Sequence, residues 1–142
     1  MKKLIRSFEI ILSITSLTIG GLIYLGFRNE SLIMFTWANR IGASVWVQCW
    51  RDYCSHMVLP DWVLYCLPDG LWSFSCILFF DAIWMDYKNK RFIFYASILP
   101  CIAIVLEFFQ LFGILSGTFD PLDLCCYVGA ILLFSLLKII KL

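Results

Sequence analysis

Asp69 and Glu107 are carboxylates set in runs that otherwise suit lipid, Trp62–Trp84 and Phe92–Leu115. An ionisable group at a bilayer centre costs on the order of 2.5–3.5 kcal/mol on insertion scales, so it calls for a partner or a use. Beyond Glu107 comes Gly117-Thr-Phe-Asp-Pro-Leu-Asp123, which brings Asp120 and Asp123 to the start of the next apolar run. Two carboxylates in one low-dielectric pocket do not both ionise. They can share a proton and bind or move a cation, or serve as acid and base on a lipid-linked substrate with Asp120 and Asp123 assisting or holding a divalent ion. They can also be neutralised by Arg40, Arg51 or His56, or merely fix helix register. Gln110 follows Glu107 by three residues and Ser73 follows Asp69 by four, so each extends its neighbour's polar stripe. Tyr127 reaches a similar layer from the last apolar run, or acts there as an interfacial anchor.

The elements that position these groups follow from composition. The chain has 142 residues, of which 62% are hydrophobic and 15% charged, against about 45–50% and about 25% in ordinary globular domains. A soluble protein this short cannot hide that much apolar surface. The reading is an all-α integral membrane protein forming one domain over residues 1–142. Runs at residues 7–27, 62–84, 92–115 and 122–140 each match the roughly 20 residues needed to cross a bilayer. The first is read as an uncleaved span, being too long for a signal-peptide core. The residues at 32–56 alternate polar and tryptophan-rich faces at helical spacing, predicting one amphipathic helix lying in the outer interface. There Arg40 and Arg51 are candidate contacts to lipid headgroups.

Placing both termini in the cytoplasm puts Lys2, Lys3, Arg6, Lys88, Lys90, Arg91, Lys138 and Lys141 inside, against Arg28, Arg40 and Arg51 outside. Asp69 and Glu107 then fall at one depth, about 10–12 Å below the outer boundary, with Tyr127 at about 8 Å. Pro68 and Gly70 around Asp69 predict a kinked or unwound segment, and Pro100 predicts a bend in the third span. Gly113 and Gly117 end that span. Asp120 or Thr118 would cap the fourth, with Pro121 in its first turn and Asp123 at the positive end of its dipole. Asp81 and Asp86 are expected to pair with Lys88 or Lys90. The seven cysteines show no zinc spacing and read as small apolar fillers. A Cys49–Cys54 bridge is poorly spaced on a helix. No cofactor or resident metal is expected.

The segment Glu107-Phe-Phe-Gln110 followed by Thr118-Phe-Asp-Pro-Leu-Asp123 and Gly129 resembles the second half of the VanZ-like family. These are small multi-span bacterial membrane proteins whose founding member is associated with low-level teicoplanin resistance. The resemblance implies a bacterial cytoplasmic-membrane protein in which Glu107, Gln110 and Asp123 occupy the family's polar positions. No Arg lies between Gln110 and Asp120, where the family usually carries one, Tyr127 stands in place of Asn, and Gly129 comes one residue early.

The expected function is therefore an outward-facing acidic pocket built from Asp69, Glu107, Gln110, Asp120, Asp123 and Tyr127. Its partners would be membrane lipid and a lipid-linked or antibiotic-related small molecule, with a homo-oligomer as one arrangement. An oligomeric proton- or cation-coupled transporter and a structural assembly subunit are the alternatives. No basic stripe points to nucleic acid, and the usual membrane phosphatase, alcohol-phosphotransferase and serine-nucleophile signatures are missing, which favours binding over catalysis.

Overall fold

A computed structural model describes residues 2–84, 90–116 and 119–140, with the side chains of residues 2 and 90–94 outside that description. Among the described residues seven helices follow in order: α1 (Lys2–Phe27), α2 (Ile33–Arg40), α3 (Ser44–Cys54), α4 (Asp61–Tyr65), α5 (Leu67–Trp84), α6 (Lys90–Leu111) and α7 (Pro121–Ile140). Lys3–Phe27 and Pro121–Ile140 are long and apolar enough to cross a membrane, and Tyr95–Leu111 is a shorter apolar helix.

The long helices bury several polar residues and expose many apolar ones. Glu9, Ser13, Ser16, Ser73, Ser75, Asp81 and Glu107 are buried, while Ile11, Leu99, Ile102, Leu132, Leu136 and Ile139 are among many exposed large hydrophobics. Helices in hydrocarbon associate through packing and interhelical hydrogen bonds rather than through the hydrophobic effect. The α1–α5 seam has both features, close packing and hydrogen bonds between the helices. Glu9, Ser13, Ser16 and Gly20 recur every three or four residues along α1 and are all buried. Ser13 Oγ donates to or accepts from Ser75 Oγ at 3.0 Å, and each hydroxyl also lies 2.9 Å from the other residue's carbonyl oxygen. A Cβ on Gly20 would come within 2.8 Å of Trp72 Nε1, so only glycine allows this approach.

Helix α5 is central, packed on α1, α6 and α7. Phe74 and Leu78 meet Ala130 in a small core, with Leu12, Phe134 and Leu137 around it. Gly70 faces Cys126, whereas Asp81 faces Lys138, so α5 and α7 run in the same direction. The Gly20–Trp72 and Ser13–Ser75 contacts make α1 antiparallel to both. Tyr95 stacks on Phe80 and Trp84 at 6.2 and 5.6 Å between ring centres, which seats the start of α6 against the end of α5. The four long helices therefore alternate in direction. Glu9, Asp81 and Lys138 lie at one end of the bundle, and Asp69, Glu107 and Asp120 lie at the other.

Three predicted elements are corrected. The single helix expected over 32–56 is two helices, because Gly42 at φ +73° reverses the backbone between them. Ala43 N–H donates to Ala38 and Gly42 N–H to Asn39, a Schellman stop that satisfies the last carbonyls of α2. The run over 62–84, expected as one span kinked or unwound around Pro68 and Gly70, breaks a little earlier, at Cys66, which separates α4 from α5. Pro68 explains the break, since its ring clashes with the carbonyl four residues earlier in a continuous helix. The third predicted span stops at Leu111 rather than 115. Gly113 at φ +68° closes a second Schellman motif through Gly113 N–H to Gln110 and Ile114 N–H to Phe109. Helix α6 continues through Pro100, which is fully buried.

Candidate functional site

The break at Cys66 changes the setting of Asp69. It lies in the first turn of α5, at the positive end of a helix dipole, rather than in the middle of a span. Asp123 holds the matching position in the first turn of α7. Glu107 lies in the last complete turn of α6 and is 6% exposed. Three helix ends thus present carboxylates to one region.

Asp120 ties them together. Its Oδ1 accepts the Leu122 N–H at 2.8 Å, which makes it the cap of α7. Its backbone N–H donates to Glu107 Oε2 at 3.3 Å. Its Oδ2 lies 3.9 Å from the Cys66 thiol. Asp69 is within electrostatic reach of Asp123, Glu107 and Arg28, and Tyr127 is within reach of Asp69, Asp123 and Glu107. Asp123 Oδ1 is buried without a hydrogen-bond partner among the described residues. Gln110 is half-buried one turn beyond Glu107, and no hydrogen bond of its side chain appears among the described residues. Thr118 and Gly117 lie outside them.

One ligand atom each from Cys66, Asp120 and Asp123 can be chosen so that all three lie within 4.8 Å of one another. Three donors of mixed softness could hold a zinc ion more readily than calcium, which wants six to eight oxygens. Cys66 is the member that sequence reasoning set aside as a filler. Its position three residues before Asp69, at the start of the Leu-Pro-Asp-Gly break, was the available signal.

The cations expected to meet headgroups behave differently. Arg51 is engaged internally: Nε pairs with Glu30 at 3.0 Å, and Nη1 donates to the carbonyls of Leu25 at 3.0 Å and Arg28 at 2.8 Å. It caps the C-terminus of α1, where carbonyls lack partners, instead of projecting to the surface. Arg40 is exposed at the end of α2, and His56 is exposed just past α3. A cation within electrostatic reach of Asp69 is Arg28, which the sequence marked only as an outer positive charge. Its guanidinium lies 5.5 Å from the Tyr24 ring centre and 5.0 Å from that of Tyr65, and Nη2 donates to the Tyr65 carbonyl at 3.2 Å. Arg28 and Tyr65 line a cavity of about 620 Å³.

A second charged cluster lies at the opposite end of the bundle. Lys138 Nζ contacts Glu9 Oε1 at 2.8 Å and also Asp81 Oδ2. Asp81 therefore pairs with the last helix. Asp86, Lys88 and the side chain of Lys90, its expected company, lie outside the described residues. Glu9 and Asp81 are almost completely buried. The seven cysteines are all unpaired. In comparisons with known proteins, no family model, no curated protein and no solved structure matches this chain.

Proposed function

We propose that this chain is a VanZ-like protein of the bacterial cytoplasmic membrane with four spans, whose acidic site opens outward. The site binds the cationic part of a polar headgroup or of an antibiotic-related ligand. The carrying observation is the meeting of Asp69, Glu107, Asp120 and Asp123 at three helix ends, with Arg28 as the nearby cation. Four carboxylates this close ionise together only with more positive charge than one guanidinium and two helix dipoles supply. A bound cationic group provides it.

The membrane reading draws on the apolar exterior of α1, α6 and α7 and on the two helices long enough to span. Helices α5 and α6 run alongside them and would cross with them. The excess of Lys and Arg near the Glu9–Lys138 end favours that end as cytoplasmic. Glu107→Gln or Asp69→Asn is expected to abolish a glycopeptide-susceptibility phenotype while insertion stays normal. An unchanged phenotype in correctly inserted variants would sink the reading.

A second reading, a proton- or cation-coupled transporter, draws on one further observation. Buried Ser13, Ser16, Ser73 and Ser75 lie between the outer carboxylates and the Glu9–Asp81–Lys138 cluster. Membrane carboxylates and hydroxyls in such a sequence are the material of proton relays. Solute uptake into liposomes that ignores an imposed pH gradient counts against it.

A further inference from the structure

The cavity beside the end of α1 has a charge left over. Arg28, Asn29 and Glu30 form one wall, and Arg51 and Tyr65 another. Arg51 and Glu30 neutralise each other, and Arg51 spends further N–H groups on two backbone carbonyls. Arg28 is not spent. A guanidinium carries five N–H donors, and among the described residues Arg28 makes one hydrogen bond, from Nη2 to the Tyr65 carbonyl. Its Nε is buried with no partner. Nη1 makes no hydrogen bond among the described residues and is not buried, and the planar fork of Arg fits phosphate oxygens in pairs.

The cavity is joined to the carboxylates through the segment 65–69. Tyr65 lines the cavity; the next residue, Cys66, touches Asp120; and Asp69, one turn further, is within electrostatic reach of Arg28, Asp123 and Glu107. A positive subsite thus adjoins a negative one across the one-residue α4–α5 junction. That charge order is the complement of a phosphate joined to an ammonium.

We infer that the site takes a phosphate ester bearing a primary amine, a phosphoethanolamine-type group, with phosphate on Arg28 in the cavity and ammonium among Asp69, Glu107 and Asp123. The inference rests on the acidic-site reading above and names its ligand class. A primary ammonium donates three hydrogen bonds to carboxylates, which a quaternary amine does not. A divalent ion at Cys66, Asp120 and Asp123 would leave the Arg28 donors unanswered and lie close to their positive charge.

The test is lipid retention by the full-length protein, purified in detergent and exchanged against vesicles of phosphatidylethanolamine, phosphatidylcholine or phosphatidylglycerol, and read by native mass spectrometry. Wild type should retain phosphatidylethanolamine about tenfold over the other two, the discrimination expected from one charge-assisted pair. Arg28→Gln should lose phosphatidylethanolamine and phosphatidylglycerol alike. Asp69→Asn should keep the phosphate contact and lose the preference between them. Arg28→Lys, which preserves charge and bulk, should lower retention in a protein whose circular dichroism is unchanged. Competition by soluble phosphoethanolamine identifies the headgroup alone as sufficient, and lack of competition identifies the lipid as the source; both keep the inference.

Equal retention of all three lipids, or retention indifferent to both Arg28 variants, overturns it. So does stoichiometric binding of zinc or calcium without lipid preference. If lipid preference is missing while Glu107→Gln still abolishes the susceptibility phenotype, only the ligand class falls. If Glu107→Gln is silent, the parent reading falls.

Discussion

The backbone N–H of Asp120 donates to the Glu107 carboxylate while the Asp120 side chain caps α7. One residue therefore links the end of α6 to the start of α7 and sets the spacing of two carboxylates. Asp120→Ala should lower stability by about 1 kcal/mol through loss of the cap. Asp120→Asn retains a capping oxygen and should stay within a few tenths of a kcal/mol of wild type. Denaturant titration in detergent separates the two. Equal losses in both variants would mean that charge, not capping, is what Asp120 contributes to the fold.

The Glu9–Asp81–Lys138 cluster joins α1, α5 and α7. Removing one member of a buried ion pair strands the rest, at a cost of about 3–5 kcal/mol. Lys138 keeps a quarter of its side chain exposed, so Lys138→Met should fall at the low end, about 3 kcal/mol. Adding Asp81→Asn should recover part of the loss, because it removes one stranded charge. The measurement is loss of helicity against sodium dodecyl sulfate, and a double variant weaker than the single one contradicts the pairing.

Gly70 and Gly129 make a matched pair. A Cβ at Gly70 would lie 3.0 Å from Cys126 Cβ and 3.1 Å from the Cys126 carbonyl oxygen, and the backbone of α7 cannot step aside cheaply. Gly70→Ala should destabilise by about 1–3 kcal/mol. Gly129 has nothing within 4 Å of such a Cβ, so Gly129→Ala should be neutral or stabilise by up to about 1 kcal/mol. Thermal unfolding of both variants in the same detergent checks the contrast.

Cys49 is exposed, whereas Cys54 is buried beneath Gly26 and Trp50. Burial also pushes the Cys54 thiol up, with the Arg51 charge pulling it down less strongly. Since the thiolate is the reactive form, less of it is present at pH 8 than for an ordinary cysteine. In variants retaining a single cysteine, maleimide at pH 8 should label Cys49 readily and Cys54 hardly at all. Arg51→Ala, which releases α3 from the end of α1, should make Cys54 reactive. Rapid labelling of Cys54 with Arg51 intact would contradict the packing of α3 on α1.

Periodicity and composition disclosed the helical class and most helix positions, because long apolar runs leave few alternatives. Asp69, Glu107, Asp120 and Asp123 could be seen together because each lies a fixed number of residues from a span boundary. Arg28 and Cys66 escaped notice for different reasons. The role of Arg28 depends on two tyrosines and a cavity formed by separate helices, and a cysteine in an apolar run looks like filler. Glu9 stood inside the first apolar run, but its partner Lys138 is 129 residues away, and spacing along the chain carries no trace of such a contact. The turn at Gly42 was hidden because one left-handed residue ends a helix without disturbing the pattern on either side.

The Glu9–Asp81–Lys138 cluster also bears on how the chain is made. Both carboxylates are synthesised before the lysine that pairs with them, which follows Glu9 by 129 residues and Asp81 by 57. Until α7 docks, Glu9 and Asp81 lack the ammonium that they share. A chain without Lys138 would hold both carboxylates at that end of the bundle with this counter-charge missing, so the last helix completes a charge balance begun in the first.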